Sequence, residues 1–292
     1  MTRVLVVGDV MVDVIARLAS PIARGSDAPA KISFGGGGSA ANVAAWLTAA
    51  GASPLLVGCV GDDGRGRAAR ASLLGAGVDA RLVTDPERAT GTCVVVVEPS
   101  GERTMFPDPG ANEALAPEDL SDELFRAGDH LHVPGYALLR EGSRPAASSA
   151  IVRARGQGMS VSVDPSSAAL LSPAFVDLAS GAGLLIPNAE EARVLTGEEE
   201  PERAAKRLTE RFPEVVVTLG EDGALWTDGH AVCVVDACGD VTVRDSTGAG
   251  DAFAAGLIAA RLDGAAPKEA LAAGCRLAAQ AVAMPGARPR AL

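Results

Sequence analysis

Asp245-Ser246-Thr247-Gly248-Ala249-Gly250-Asp251 is the stretch best equipped for chemistry. Val241 and Val243 before it predict a short strand, and Asp251–Leu262 predicts a helix. Small residues in a turn ahead of a helix leave backbone N–H groups unpaired, and the helix dipole adds positive potential there, so the turn suits an anion. Asp251 is out of place for simple anion binding, because its carboxylate faces the site that the amides prepare. It fits if the carboxylate takes a proton from a nucleophile that attacks a phosphoryl group. A carboxylate with the ordinary value of about 4 is a weak early base, which suits a loose transition state with late proton transfer. An isolated GxGD also reads as nothing more than a helix start with an acid in its first turn.

Further polar residues fall at strand ends or helix starts. Asp13 follows the first strand by a few residues, which places it at the carboxyl edge of a parallel sheet, where it can accept hydrogen bonds from hydroxyls. Gly35-Gly36-Gly37-Gly38 allows close backbone approach to a ligand, and Asn42 lies in the first turn of the helix that follows. Asn112 closes Gly110-Ala111-Asn112 in a turn. Asn188 reads as a helix cap with Glu190 and Glu191 behind it, and Asp164 ends another strand. Thr218 and Gly220 bracket a strand-to-turn junction. Neither a Rossmann fingerprint nor a Walker A sequence is present.

Short apolar runs at Val4–Val7, Pro54–Val57, His130–Val133, Ser160–Val163, Leu184–Ile186 and Val215–Leu219 alternate with helical patterns. The pattern predicts an α/β fold, a mainly parallel sheet covered by helices on both faces. Two segments, about 10–34 and 90–106, break the alternation with strand-like pieces, and Thr92–Phe106 reads as a hairpin around Pro99-Ser100-Gly101-Glu102. A second hairpin is expected at Asp228-Gly229. No linker divides residues 1–292, so a single domain is expected.

Net charge is −11, which argues against nucleic-acid or anionic-membrane partners. Only three lysines occur, so side-chain phosphate contacts fall to arginine. The five cysteines form no CxxC pair, and with three histidines there is no metal-cluster signature. The chain starts on a strand without a signal-like segment, and no apolar run could span a bilayer. A cytoplasmic location is expected.

Taken in order, these motifs resemble the PfkB (ribokinase-like) family of carbohydrate kinases. Gly37-Gly38-Ser39-Ala40-Ala41-Asn42 resembles its first signature, GGxxxN, and Asp245–Phe253 resembles its second. Gly58–Gly64, Gly110-Ala111-Asn112, Asn188–Glu191 (NxxE) and Thr218–Gly223 are similar to stretches between them. The resemblance implies a three-layer α/β/α sandwich with a small β lid that often pairs with a second subunit, hence a homodimer through the lid. It implies ATP-dependent phosphorylation of a sugar-like hydroxyl, with Asp251 as base and Gly248, Ala249 and Gly250 as anion hole. Asp13, Gly37, Gly38, Asn42, Asn112 and Glu141 would face the sugar, and Asn188, Thr218 and Gly220 the nucleotide. Glu191 would place Mg2+ through water, while Asp245 and Thr247 match a monovalent-cation site that could take K+. The acceptor stays open: some relatives carry Lys where Ser39 stands, Arg103 could serve a sugar phosphate, and Phe34, Phe106 or Tyr136 could stack a nucleoside base or pack the lid. A sugar sensor without catalysis is the alternative of a different class.

Overall fold

The computed structural model describes residues 2–100, 102–239 and 241–289. Its larger sheet holds β1 (Arg3–Val7), β4 (Ser53–Gly61), β5 (Asp79–Asp85), β8 (His130–Pro134), β9 (Ser160–Asp164), β10 (Leu184–Leu185), β11 (Glu214–Thr218), β12 (Ala224–Thr227) and β13 (Val232–Val235). The spatial order is β13-β12-β11-β10-β9-β8-β1-β4-β5. Every neighbouring pair from β11 to β5 is parallel, while the hairpin β12–β13 adds two antiparallel strands at one edge.

A parallel strand buried on both faces reads as a near-continuous apolar run. In β1, Leu5 and Val7 join one core and Val4 and Val6 the other. The first core is roofed by α3 (Gly135–Leu139), α4 (Arg144–Gly156), α5 (Phe175–Leu178), α6 (Ala189–Thr196) and α7 (Pro201–Leu208). The opposite face carries α1 (Ser39–Ala49), α2 (Gly64–Gly75), α8 (Ala249–Leu262) and α9 (Pro267–Val282). The three layers follow from the alternation seen in the sequence. No helix among the described residues is long and apolar enough to cross a membrane.

The smaller sheet has the order β3-β2-β6-β7, built from β2 (Met11–Leu18), β3 (Ala30–Gly37), β6 (Thr92–Val97) and β7 (Arg103–Asp108). It arises where the chain leaves the large sheet after β1 and again after β5. Strands β2 and β6 pair in parallel, and their outer partners pair antiparallel. One face presents Asp13, Cys93 and Val95 to the large sheet; on the other, Phe34, Val14, Val94 and Phe106 form a single cross-strand row.

Three expectations change. Val241–Val243 forms no strand: the N–H groups of Arg244 and Asp245 both turn to the Val282 carbonyl, and Val243 is exposed. The helix before which it lies starts at Ala249, not Asp251. The first lid segment runs on past residue 34, since Gly35, Gly36 and Gly37 end β3 in register with Asp13, Val12 and Met11. Strand β5 went unread because DARLVTD mixes acids and a base into an edge strand that is only partly buried.

Leu131 lies fully buried in β8, between β1 and β9. Leu131→Ala is expected to cost about 2–5 kcal/mol, read as a lower denaturant midpoint with an unchanged slope.

Candidate active site

Chain direction around β1 decides where a ligand can enter. The strand has β4 on one side and β8 on the other, so the connections leave in opposite directions and open a crevice at the carboxyl edge. A cleft of about 700 Å³ lies there beneath the small sheet. Asp251 sits in its wall, one residue past the Gly250 amide.

Gly248 caps α8 in the left-handed region at φ 76°, and a Cβ there would run into the Ala287 backbone. Among the described residues, the N–H groups of Gly248, Gly250 and Asp251 have no partner, whereas that of Ala249 reaches the Ser246 carbonyl at 3.3 Å. The anion turn therefore offers Gly248, Gly250 and Asp251 amides, not the Gly248, Ala249 and Gly250 set that the sequence suggested. Ser39 Oγ donates to Asp251 Oδ1 (2.6 Å) and Asn42 Nδ2 to Oδ2 (2.8 Å). Burial pushes Asp251 up to about 6, against the pull of these two donors. The value near 4 expected from sequence is thus corrected, and the cause is desolvation of the charged form.

Each glycine ahead of α1 makes room for a different neighbour. A Cβ on Gly37 would stand 2.6 Å from Asp13 Cγ, and one on Gly36 would stand 2.6 Å from the Arg288 Cζ. Gly38, at φ 89°, is the N-cap of α1 but has no side chain to cap with. Asp9 supplies the missing group from the end of β1: its Oδ1 accepts from Ala40 N at 3.1 Å. Asp13, on the inner face of β2, is raised to about 6 by burial, opposed by Arg288 and reinforced by Asp9 and Asp245.

At the other end of the cleft, Asn188 and Glu191 close a capping box on α6: Asn188 Oδ1 accepts from Glu191 N, and Glu191 Oε2 accepts from Asn188 N, both at 2.8 Å. Asn188 also bridges to Thr218, which brings Gly220 to the same wall. Glu191 is lifted to about 7 by burial, and Asp164 is raised by burial and by the Glu191 and Asp251 charges. One buried and one half-buried acid, with no cationic side chain in an ion pair to either among the described residues, fit a divalent cation. Among the described residues no group of three or more His, Cys, Asp or Glu side chains is arranged for a metal, so a divalent ion held here would need most of its ligands from water and phosphate oxygens.

Other predicted positions land elsewhere. Asn112 spends its amide on backbone: Oδ1 accepts from Val10 N (2.8 Å) and Nδ2 donates to Val10 O (3.0 Å) and Pro109 O (2.8 Å). It anchors the exit into the lid and does not line the cleft. Glu141 is exposed and outside the cleft, while its neighbour Arg140 lines it. Arg140 stacks over Tyr136, 5.3 Å from the ring centre, and lies 4.0 Å from Asp9. Asp245 and Thr247 meet a cation already present: Arg103 of β7 donates to Asp245 Oδ1 (2.6 Å) and touches the Ser246 and Thr247 hydroxyls. Asp245 also accepts from the amides of Thr247 (3.0 Å) and Gly286 (3.0 Å). These residues do not fit a potassium ion in this arrangement, because N–H donors have taken the carboxylate. Of the aromatics considered from sequence, Tyr136 lines the cleft; Arg140 and Arg288 have no local motif around them, and only the fold brings them in.

The pfkB family carbohydrate kinase model matches residues 1–291. The ATP-dependent ribose-1-phosphate kinase of Halopiger xanaduensis is 36% identical over 264 residues, which is 89% of this chain and 84% of that one. An adenosine kinase from Sinorhizobium meliloti superposes with TM-score 0.90 at 25% identity, covering 99% of this chain and 96% of that one. An Escherichia coli chain solved in complex with ATP and Mg2+ gives TM-score 0.86 at 26% identity, covering 98% and 94%. The order of motifs, the two sheets and the cleft between them agree with these matches, and the chain belongs to the PfkB family of carbohydrate kinases.

Proposed function

We propose that the protein transfers the γ-phosphate of ATP to a hydroxyl of a sugar or sugar phosphate. One observation carries the reading: the half-buried Asp251 carboxylate, held by Ser39 and Asn42, shares a cleft with the unpaired amides of a helix start, and the two ends of that cleft differ in chemistry. Asp13 and Asn42 approach from the lid side, where hydroxyls are accepted. Asn188, Thr218 and Gly220 line the opposite side, where the triphosphate lies.

The acceptor oxygen attacks the γ-phosphorus, its proton passes to an Asp251 oxygen, and the bond to the ADP oxygen breaks. A group titrating at about 6 is ionised at neutral pH and is a better proton acceptor than an exposed aspartate. The amides of Gly248, Gly250 and Asp251 hold charge on the transferring group. Glu191 and Asp164 would hold Mg2+, largely through water, and the ion would supply neutralisation of phosphate charge.

Arg103 and Arg140 both line the acceptor end, which favours a phosphorylated sugar as the first candidate. A nucleoside is the weaker reading, since Tyr136 is the sole aromatic in the cleft wall and Arg140 covers it. Phe34 and Phe106, 75% and 58% exposed, point away from the cleft. Their row across the lid is apolar and open, which supports pairing of two subunits through this sheet. Initial rates with pentose phosphates, free sugars and nucleosides test the acceptor; transfer to none of them, with ATP bound, sinks the kinase reading.

Asp251→Asn is expected to lower kcat by about 10²–10⁴ with little change in the KM for ATP. A variant as fast as the parent would remove Asp251 from the mechanism. For kcat/KM, an acid limb is expected near pH 6, because activity needs the ionised carboxylate and its value is raised. Activity rises as pH increases through that limb; a limb near 4 would contradict the burial argument. Arg103→Ala frees the lid from the anion turn. It should raise the ratio of acceptor-independent ATP hydrolysis to transfer by about ten-fold or more, since closure is what excludes water. An unchanged ratio would mean that the Arg103 contact does not hold the lid.

A further inference from the structure

Behind the cleft wall, the residues after α9 return to the active site. The Ala287 carbonyl accepts from the buried indole Nε1 of Trp46 at 2.9 Å, and Ala287 packs on Gly248. This fastening delivers the Arg288 guanidinium to the junction of β3 and α1. Its Nε donates to Asn42 Oδ1 at 3.1 Å and its Nη2 to the Gly37 carbonyl at 2.6 Å. Nη1 is shielded from solvent over Gly36 and has no partner among the described residues.

We propose that Arg288 is a positioning residue for phosphoryl transfer: it fixes the Asn42 amide toward Asp251 and keeps the acceptor-side carboxylates charged. The proposal rests on Asp251 being the base. The first half follows from donor inventory. Arginine can only donate, so the amide oxygen of Asn42 must face Nε. Its NH2 group is then forced toward Asp251 Oδ2, which can only accept when ionised. A rotated amide would set oxygen against carboxylate and lose both bonds.

The second half follows from charge. Asp251 is faced by Asp9 from the end of β1, Tyr136 on α3, Asp164 at the end of β9, Ser39 and Asn42 on α1, and Arg288. Within that set Arg288 is the cation acting on Asp251, and it acts on Asp13 as well. Burial lowers Arg288 to about 10, held there by Asp13, Asp251 and Asp9, so it stays protonated at neutral pH. The contact also accounts for Gly36, where any Cβ would collide with the guanidinium.

The test is the pH profile of kcat/KM with the best acceptor, first in the parent protein and Asp251→Asn. Loss of the acid limb in Asp251→Asn establishes that the limb reports the base; a limb that persists there with kcat unchanged removes the base reading itself, and one that persists with kcat lowered belongs to Asp13 or Glu191 and overturns the proposal. Given the limb, Arg288→Met is expected to move it toward alkaline pH by roughly one unit and to lower kcat about ten-fold or more. Arg288→Lys keeps the charge without the forked grip, so its limb should return to the parent position while kcat stays reduced. Gly36→Ala, which displaces the guanidinium without removing it, gives a second route if Arg288→Met does not fold, and should shift the limb in the same direction. A limb at the parent pH in whichever of Arg288→Met and Gly36→Ala folds would overturn the proposal, because a purely structural role changes rates and stability without moving it.

Discussion

Everything in the site depends on keeping a carboxylate buried at the start of a helix without giving up its charge. Burial raises Asp251, and Asp9 beside it raises it further. The molecule counters with two short hydrogen bonds from α1, with the N-terminal dipole of α8 and with the Arg288 cation. That requires the starts of α1 and α8 to meet. Ala40, Ala41, Ala44, Ala252 and Ala255 share one core, and side chains that small let the two helices approach closely enough for Ser39 and Asn42 to reach across.

The same constraint explains why the glycines are consecutive. Each of Gly36, Gly37 and Gly38 abuts a group that serves the carboxylates or the helix start: a guanidinium, the Asp13 side chain and the Asp9 backbone. The run is less a flexible loop than a strand end with no room for side chains. Asp9, capping α1 from another strand, ties the helix start to β1. The fold's switch point and the catalytic helix starts are therefore held by one set of contacts.

Across the cleft the electrostatic problem is reversed. The buried Glu191 and the half-buried Asp164 have no ion-pair partner among the described residues, and the Glu191 charge raises Asp164. Such a pair is costly as it stands, and a divalent cation is the kind of ligand that would relieve it. The lid joins the two halves through Arg103, whose guanidinium rests on the turn that carries the anion-binding amides. Lid position and the shape of that turn are mechanically connected.

Local sequence determined most of the large sheet but not its edge strand β5, the order of helices, the lid hairpin and the placement of Asp13, Asn42, Asn188, Thr218, Gly220 and Asp251 at strand ends and helix starts, because periodicity, caps and glycine spacing act over a few residues. It misread Val241–Val243, where a strand-like pattern has no ladder partner, and it put Glu141 and Asn112 toward a ligand that neither faces. Tertiary structure alone decided that Ser39 and Asn42 hold Asp251, that Arg103 occupies the Asp245 carboxylate, and that Arg288 reaches Asn42 from 246 positions away. It also set the ionisation of Asp251, since a side chain's charge depends on what surrounds it, and those surroundings come from segments that no local pattern connects.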